Sequence, residues 1–157
     1  MKKLFIILLA GFSLSACKNS DKKPGDQRSK EALLKDSIIQ AEKMKMMSDT
    51  ASYTTLQWID STFSDQGKVK EGKQVEVSFR FKNTGDKSLV IANVTASCGC
   101  TVPEKPEKPV APGEEGVIKA KFDSNGRKGM NDKHISVDAN TKPSRSHELE
   151  FRVEVTE

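Results

Sequence analysis

The sequence lacks the residue patterns of the common catalytic classes. It has only two histidines, His134 and His147, and neither belongs to a catalytic-triad or metalloprotease motif. Glycines in the second half of the chain occur at turns and form no phosphate-cradling loop. Cysteine is rare as well, with three residues and no Cys-x-x-Cys pair. We therefore expect no enzymatic activity and no bound cofactor.

The sequence also lacks a clear excess of charge of one sign. Lys2 and Lys3 lie in a segment that we expect to be removed, which leaves 26 − 2 = 24 basic residues against 22 acidic ones. Proteins that bind nucleic acids carry a clustered basic face, whereas basic and acidic residues alternate along this chain. No nucleic-acid partner is expected.

The hydrophobic run near the N-terminus is short. Residues 4–12 are apolar and follow the two lysines, but the run cannot cross a bilayer as a stable anchor. A positive start followed by a short apolar run is typical of a secretory signal peptide. We assign residues 1–16 to such a signal peptide.

The end of that segment resembles a bacterial lipobox. In Leu14-Ser15-Ala16-Cys17 a small residue precedes a cysteine, which in lipoproteins is diacylated and becomes the new N-terminus. Two or three acyl chains hold a protein stably on a membrane, whereas a single chain binds only marginally. We expect lipid attachment at Cys17 and a location in the cell envelope, on the outer membrane, at its periplasmic or surface face. An ordinary cleaved signal peptide is the alternative.

Residues 17–54 are interpreted as a tether. Residues 18–27 are polar and contain the breaker pair Pro24-Gly25, which predicts a disordered spacer. Residues 29–47 predict a helix, because helix formers fill it and apolar residues recur at helical spacing. This helix is either solvated in the stalk or packs on the domain, a partner or the membrane. Its apolar residues are Leu34, Ile38, Ala41 and Met44.

Residues 55–157 predict an all-β domain. Residues 74–82 alternate strictly, with Val75, Val77, Phe79 and Phe81 on one side and polar residues on the other, which indicates a half-buried antiparallel strand. Short strands separated by turns over about 100 residues are typical of a β-sandwich. We predict an immunoglobulin-like antiparallel β-sandwich of about seven strands. Further strands are expected at residues 56–59, 89–94 with a bulge near Asn93, 117–123, 134–138 and 149–155, with loops at 103–109 and 124–132.

Cys98 and Cys100 are the thiols that remain once Cys17 is acylated. If they occupy positions i and i+2 of a strand, both sulfurs point to the same face. Their Cα atoms would then lie about 6.5 Å apart, at the upper limit for a disulfide, and Gly99 would let the backbone pucker to close that distance. Such a bond would be strained and therefore easily reduced.

Four interpretations of this pair remain open. The cysteines are structural and bridged or buried in the sandwich, or they form a redox-active pair. They could also bind a soft metal, copper(I) or zinc, with Met130 or His134 completing the site. The fourth interpretation is covalent attachment to another envelope protein.

A composite motif carries a family resemblance over residues 56–155. The sequence resembles the domain of unknown function 1573 family of Gram-negative envelope proteins. The resemblance implies an immunoglobulin-like module, similar to those of major sperm protein and cilia-associated proteins, which bind or scaffold and have no enzymatic activity. The matching elements are Phe79-x-Phe81-x-Asn83-Thr84-Gly85, Leu89-x-Ile91, Ser97-Cys98-Gly99-Cys100-Thr101, Pro112-Gly113-Glu114, Phe122-Asp123 and Lys133-x-Ile135-x-Val137.

Together these features favour a lipid-anchored envelope protein with a non-catalytic interaction or structural module. Its expected partners are the membrane, through the N-terminal lipid, and an envelope protein, recruited for example by adding a strand to a sheet edge. The alternative is a periplasmic soft-metal-binding or thiol-redox protein that acts through Cys98 and Cys100.

Overall fold

A computed structural model describes residues 25–157 of the chain, with side chains from residue 31 onward. The predicted signal peptide, Cys17 and residues 18–24 of the predicted spacer lie outside the described residues. Asp36–Glu157 forms one compact unit, and the described part of the other unit is the helical segment 25–35. Within the described part of the chain, no helix is long and apolar enough to cross a membrane.

Helix α1 spans Gly25–Ser48 and is longer than the predicted helix at both ends. The predicted spacer is therefore wrong over residues 25–27, which are helical. These residues directly follow Pro24 and include Asp26, whose negative charge favours the first turn of a helix. After Ser48, the Asp49 carboxylate accepts a hydrogen bond from Ala51 N at 2.9 Å and caps a short 3₁₀ turn, Thr50–Ser52.

Within the unit Asp36–Glu157, the buried face of α1 differs from the predicted apolar stripe. Ile38 and Met44 of that stripe are 51% and 71% exposed, whereas Lys43 and Met47 are 9% and 7% exposed. Residues four apart share one helix face, so Lys43 and Met47 lie together on the packed side. Tyr53 Oη donates to the Met47 carbonyl at 3.1 Å and fixes this end of the helix.

Eight strands follow, close to the predicted number of about seven. The second and the fifth are additional to the six strands whose positions were expected from the sequence. The strands are β1 (Leu56–Trp58), β2 (Phe63–Lys70), β3 (Gln74–Asn83), β4 (Ile91–Ala96), β5 (Thr101–Glu104), β6 (Glu115–Asp123), β7 (Gly129–Ala139) and β8 (Ser146–Thr156).

The strands form two four-stranded sheets that pack as a sandwich. The first sheet has the order β1-β3-β6-β5 and the second the order β2-β8-β7-β4. All pairings are antiparallel except that of β2 with β8, which is parallel. The chain thus changes sheet at each of the four connections from β1 to β5 and once more between β6 and β7. The predicted immunoglobulin-like sandwich is confirmed.

Alternation places the core as the sequence predicted. In β3, Val75, Val77, Phe79 and Phe81 are buried and the intervening residues 76, 78, 80 and 82 are exposed. The Phe122 ring of the first sheet meets the Phe151 ring of the second edge to face, with centroids 5.9 Å apart. Aromatic pairs of this geometry add to the stabilisation from burial itself. The two sheets are therefore held together by residues that period-2 patterning identifies.

Two predicted loops are partly strand. Residues 129–132 belong to β7, because they continue its pairing with β8 through partners such as Met130 and Glu154. Pro103 lies in β5, opposite Ala120 of β6. Because β5 is an edge strand, the missing N–H of a proline is tolerated there. Glycine and charged residues had made residues 129–132 look like a loop, and the prolines had done so for the residues of β5 around Pro103.

Candidate functional site

The Cys98–Cys100 segment lies where the chain crosses between the sheets. β4 ends at Ala96 in the second sheet, and Ser97 makes a last backbone contact there, with its N–H donating to His134 O at 2.9 Å. Beyond Cys100, β5 begins at Thr101 in the first sheet and pairs with β6. The two cysteines therefore occupy the corner of the sandwich that joins the two sheets.

The cysteines lie in a turn, so the prediction that they occupy an extended strand is wrong. Thr101 N donates to Cys98 O at 3.3 Å, which closes a four-residue turn. The turn brings the two Cα atoms to 5.3 Å, within the usual range for a disulfide, and the sulfurs are bonded to each other. An extended segment would have held these atoms farther apart.

The disulfide is largely shielded from solvent. Cys100 is 6% exposed and belongs to the hydrophobic core, and Cys98 is partly buried against the same core. The Thr101 hydroxyl lies 3.7 Å from Cys98 Sγ and 3.9 Å from Cys100 Sγ, and it can donate weakly to either sulfur. Asp123 N donates to Cys100 O at 2.9 Å and ties the corner to the end of β6.

Gly99 does not use the conformational freedom that the sequence analysis assigned to it. Its φ is not in the left-handed region, in contrast to Gly113 (φ 80°) at the Pro112-Gly113 turn. A Cβ added at Gly99 would meet nothing within 4 Å. The turn itself, rather than a glycine-specific backbone conformation, brings the two sulfurs together.

The residues suggested to complete a metal site do not form one with the cysteines. Met130 is 60% exposed near the start of β7, and His134 is exposed farther along the same strand. His134 approaches the corner through its backbone, since its N–H donates to Ser97 Oγ at 3.3 Å. Within residues 25–157, no group of three or more His, Cys, Asp or Glu side chains could hold a metal ion. Both sulfurs are also bonded to each other rather than available as thiolates.

His147 of β8 is the more constrained of the two histidines. Burial lowers its pKa below the usual value, and Asp138 opposes that shift in part. The Thr141 hydroxyl donates to Ser144 O at 2.6 Å and lies 2.8 Å from His147 Nε2. Because a hydroxyl has a single proton, Nε2 carries the hydrogen of this contact. His147 also packs edge to face on Trp58, so its environment is that of a structural side chain.

Two lysines that no sequence pattern indicated as a site lie together beside the second half of α1. Lys43 of α1 and Lys105, just after β5, both line a cavity of about 530 Å³. Lys105 Nζ donates to the carbonyl oxygens of Ile91 (3.2 Å) and Ala92. In the sequence, the one indication was that Lys43 shares a helix face with Met47. That spacing does not predict a site, because Lys105 is brought beside Lys43 only by the fold.

Comparison with protein families identifies the sandwich. A family model described as "Protein of unknown function (DUF1573)" matches residues 56–155, from the first residue of β1 almost to the end of β8. The chain belongs to the DUF1573 family. The predicted resemblance is therefore confirmed, and the crossover disulfide lies inside the DUF1573 domain. No curated protein matches the chain.

Solved structures share the fold of this DUF1573 domain. A Porphyromonas gingivalis protein of unknown function is 17% identical, with a TM-score of 0.58, and the match covers 68% of this chain and 49% of that one. The ASH/PapD-like domain 7 of human CEP192 is 10% identical, with a TM-score of 0.51, over 67% of this chain and 86% of that one. The chain thus spans about half the length of the P. gingivalis protein. Both likenesses concern the fold alone.

Proposed function

We propose that the chain is a lipid-anchored cell-envelope protein whose sandwich is a non-catalytic interaction or structural module. The disulfide is the observation that carries the non-catalytic part. It occupies both cysteines of the domain at a shielded corner, where they can act neither as nucleophiles nor as metal ligands while bonded. The anchor rests on the sequence around Cys17.

The β2 edge is the surface that we assign to a partner. Among the four outer strands, β1 has three residues and β5 four, including a proline. On β4, Lys105 already occupies the Ile91 and Ala92 carbonyls. β2 has eight residues and pairs on one side only, and Phe63 at its start is 40% exposed. An extended peptide of an envelope protein would add to this edge as a ninth strand.

Site-specific photocrosslinking in cells that produce the full chain tests this proposal. A photoreactive residue in place of Phe63 is expected to give one discrete crosslinked product in the envelope fraction. The matched control replaces Glu76, which is exposed on the inner strand β3 of the other sheet, where no edge is available. Equal products from both positions, or no product from Phe63, would contradict an interaction at the β2 edge.

The thiol-redox and soft-metal alternative stays a prediction. It requires reduction of the disulfide, and Cys98, as the partly exposed cysteine, would be the sulfur open to attack. Reduction followed by stoichiometric copper(I) or zinc binding that is lost in Cys98→Ser would favour this alternative over the non-catalytic module.

A further inference from the structure

A cavity of about 530 Å³ separates the second half of α1 from the segment that follows β5. Its walls include the apolar side chains of Ile39, Met46 and Pro109, and its lining also includes Lys43 and Lys105. All of these residues belong to the compact unit Asp36–Glu157. The volume is in the range of cavities that hold small organic ligands.

Lys43 has no partner for its charge among the side chains of residues 31–157. The residue is 9% exposed, and within the described part of the chain its ammonium makes no hydrogen bond or ion pair. No buried side-chain nitrogen or oxygen of the described residues is both sealed from solvent and unpaired, so the ammonium must reach open space. Lys43 is among the residues that line the cavity. An anion in the cavity would give this ammonium the charge partner that the described residues do not supply.

Lys105 places a second positive charge beside the first. Its ammonium donates to the carbonyls of Ile91 and Ala92, which leaves a third N–H for another acceptor. Its pKa is lowered by burial first and by the charge of Lys43 second. The two like charges repel each other, and a bound anion would relieve that repulsion.

The other charged residues of the lining restrict the type of anion. The exposed side chains of Asp36, Glu42, Glu107 and Lys108 also line the cavity, and three of these four are acidic. Acidic side chains repel an anion of high charge, such as inorganic phosphate, more strongly than a singly charged one. The apolar walls favour a ligand with a hydrocarbon part. The charge and polarity of the lining therefore fit one negative group attached to an apolar chain.

We propose that this cavity binds a small monocarboxylate with an apolar chain, its carboxylate between Lys43 and Lys105 and its chain against Ile39, Met46 and Pro109. This inference is independent of the proposed interaction at the β2 edge. A carboxylate accepts charge-assisted hydrogen bonds from both ammonium groups, which are stronger than neutral ones. Its apolar chain would bury surface that the cavity walls now expose.

Titration of the full chain with hexanoate, followed by amide NMR shifts, tests the site. The neutral isostere hexanamide is the matched ligand, and we expect hexanoate to bind at least about tenfold more tightly, because only hexanoate carries the charge. The shifts should centre on residues 36–48 and 105–109. Equal affinities for the two ligands, or shifts centred elsewhere, would overturn the proposal.

Lysine variants separate a specific site from general attraction. Lys43→Met and Lys105→Met should each weaken hexanoate binding at least about tenfold and leave hexanamide binding unchanged. Lys87→Met is the matched control, because Lys87 is exposed in a turn. It should leave the affinities for hexanoate and for hexanamide unchanged. If Lys105→Met fails to fold, the hexanoate affinity of Lys43→Met alone tests the proposal. Unchanged hexanoate affinity in Lys43→Met overturns the proposal.

Other occupants give distinct results. Tighter binding of inorganic phosphate than of hexanoate would mean a general anion site and would overturn the monocarboxylate assignment. A concentration-dependent dimer whose amide shifts centre on the same residues would mean that a second copy of the chain fills the cavity. That result would also overturn the monocarboxylate assignment. The proposal is supported if hexanoate binds, phosphate does not compete and the chain stays monomeric throughout the titration.

Discussion

At the residue scale, two glycines of the domain differ in whether their surroundings leave room for a side chain. Gly99 separates the bonded cysteines, yet a Cβ there would meet nothing within 4 Å. Gly116 of β6 faces the ring of Phe81, where an added Cβ would lie 2.8 Å from Cε2. That ring is fully buried and packs edge to face on Trp58, so it has little room to move away. The glycine in the family motif is thus the more replaceable of the two.

Gly99→Ala is therefore expected to change the free energy of unfolding by less than about 0.5 kcal/mol, as for substitutions that meet no special feature. Gly116→Ala should destabilise the domain by about 1–3 kcal/mol through overpacking. Urea denaturation of the oxidised proteins measures both values. A large loss of stability in Gly99→Ala would mean that the cysteine turn needs glycine after all.

At the element scale, buried asparagines tie the loops to the sandwich. Asn140, directly after β7, accepts from Val90 N at 2.7 Å and donates to Ser52 O and Ser88 O at 2.9 and 3.0 Å. Asn83, at the end of β3, donates to Lys87 O and Val110 O and accepts from Thr54 Oγ1. Both asparagines are fully buried. Each asparagine joins segments that are distant in sequence, and it does so by hydrogen bonds rather than by apolar contacts.

Asn140→Ala should lower the free energy of unfolding by about 2–4 kcal/mol, because it leaves one buried N–H and two carbonyls without partners. Asn140→Asp should also destabilise, since a carboxylate keeps the acceptor but loses both donors. The exposed loop residue Asn125 provides the control, and Asn125→Ala should be nearly neutral. Chemical denaturation of the three variants checks this order. Similar values for Asn140→Ala and Asn125→Ala would contradict the role of Asn140.

At the scale of the whole molecule, the proposed anchor and the disulfide concern the same compartment. A disulfide is stable in an oxidising environment such as the periplasm, and a lipoprotein signal directs the chain out of the reducing cytosol. The crossover corner can therefore remain oxidised where the protein is proposed to act. The disulfide is thus compatible with the proposed anchor, although the two lie in different parts of the chain.

Cys17→Ser should move the protein from the membrane fraction to the soluble fraction of the envelope and abolish metabolic labelling with palmitate, because the acyl chains supply the membrane affinity. Cell fractionation and labelling measure both effects. Cys98→Ser is the matched control, since it removes a different cysteine and should leave labelling intact. Membrane retention of Cys17→Ser would contradict lipid anchoring at this residue.

The sequence by itself determined the sandwich and most of its core. Strict alternation in 74–82 and 117–123 identifies the buried face of each strand, because side chains in a strand point alternately to the two sides of a sheet. The composite motif around Cys98 identified the family for the same region. These properties depend on local patterns, so no knowledge of distant contacts was needed.

Tertiary structure alone decided the details of the candidate sites. The position of the cysteines in a turn depends on where the chain crosses between sheets, and β2 depends on its parallel pairing with β8. Likewise, Lys43 on α1 becomes notable only because Lys105, 62 residues later, is placed beside it. Pairings and charge clusters between distant segments are set by the packed chain, and no local sequence pattern contains them.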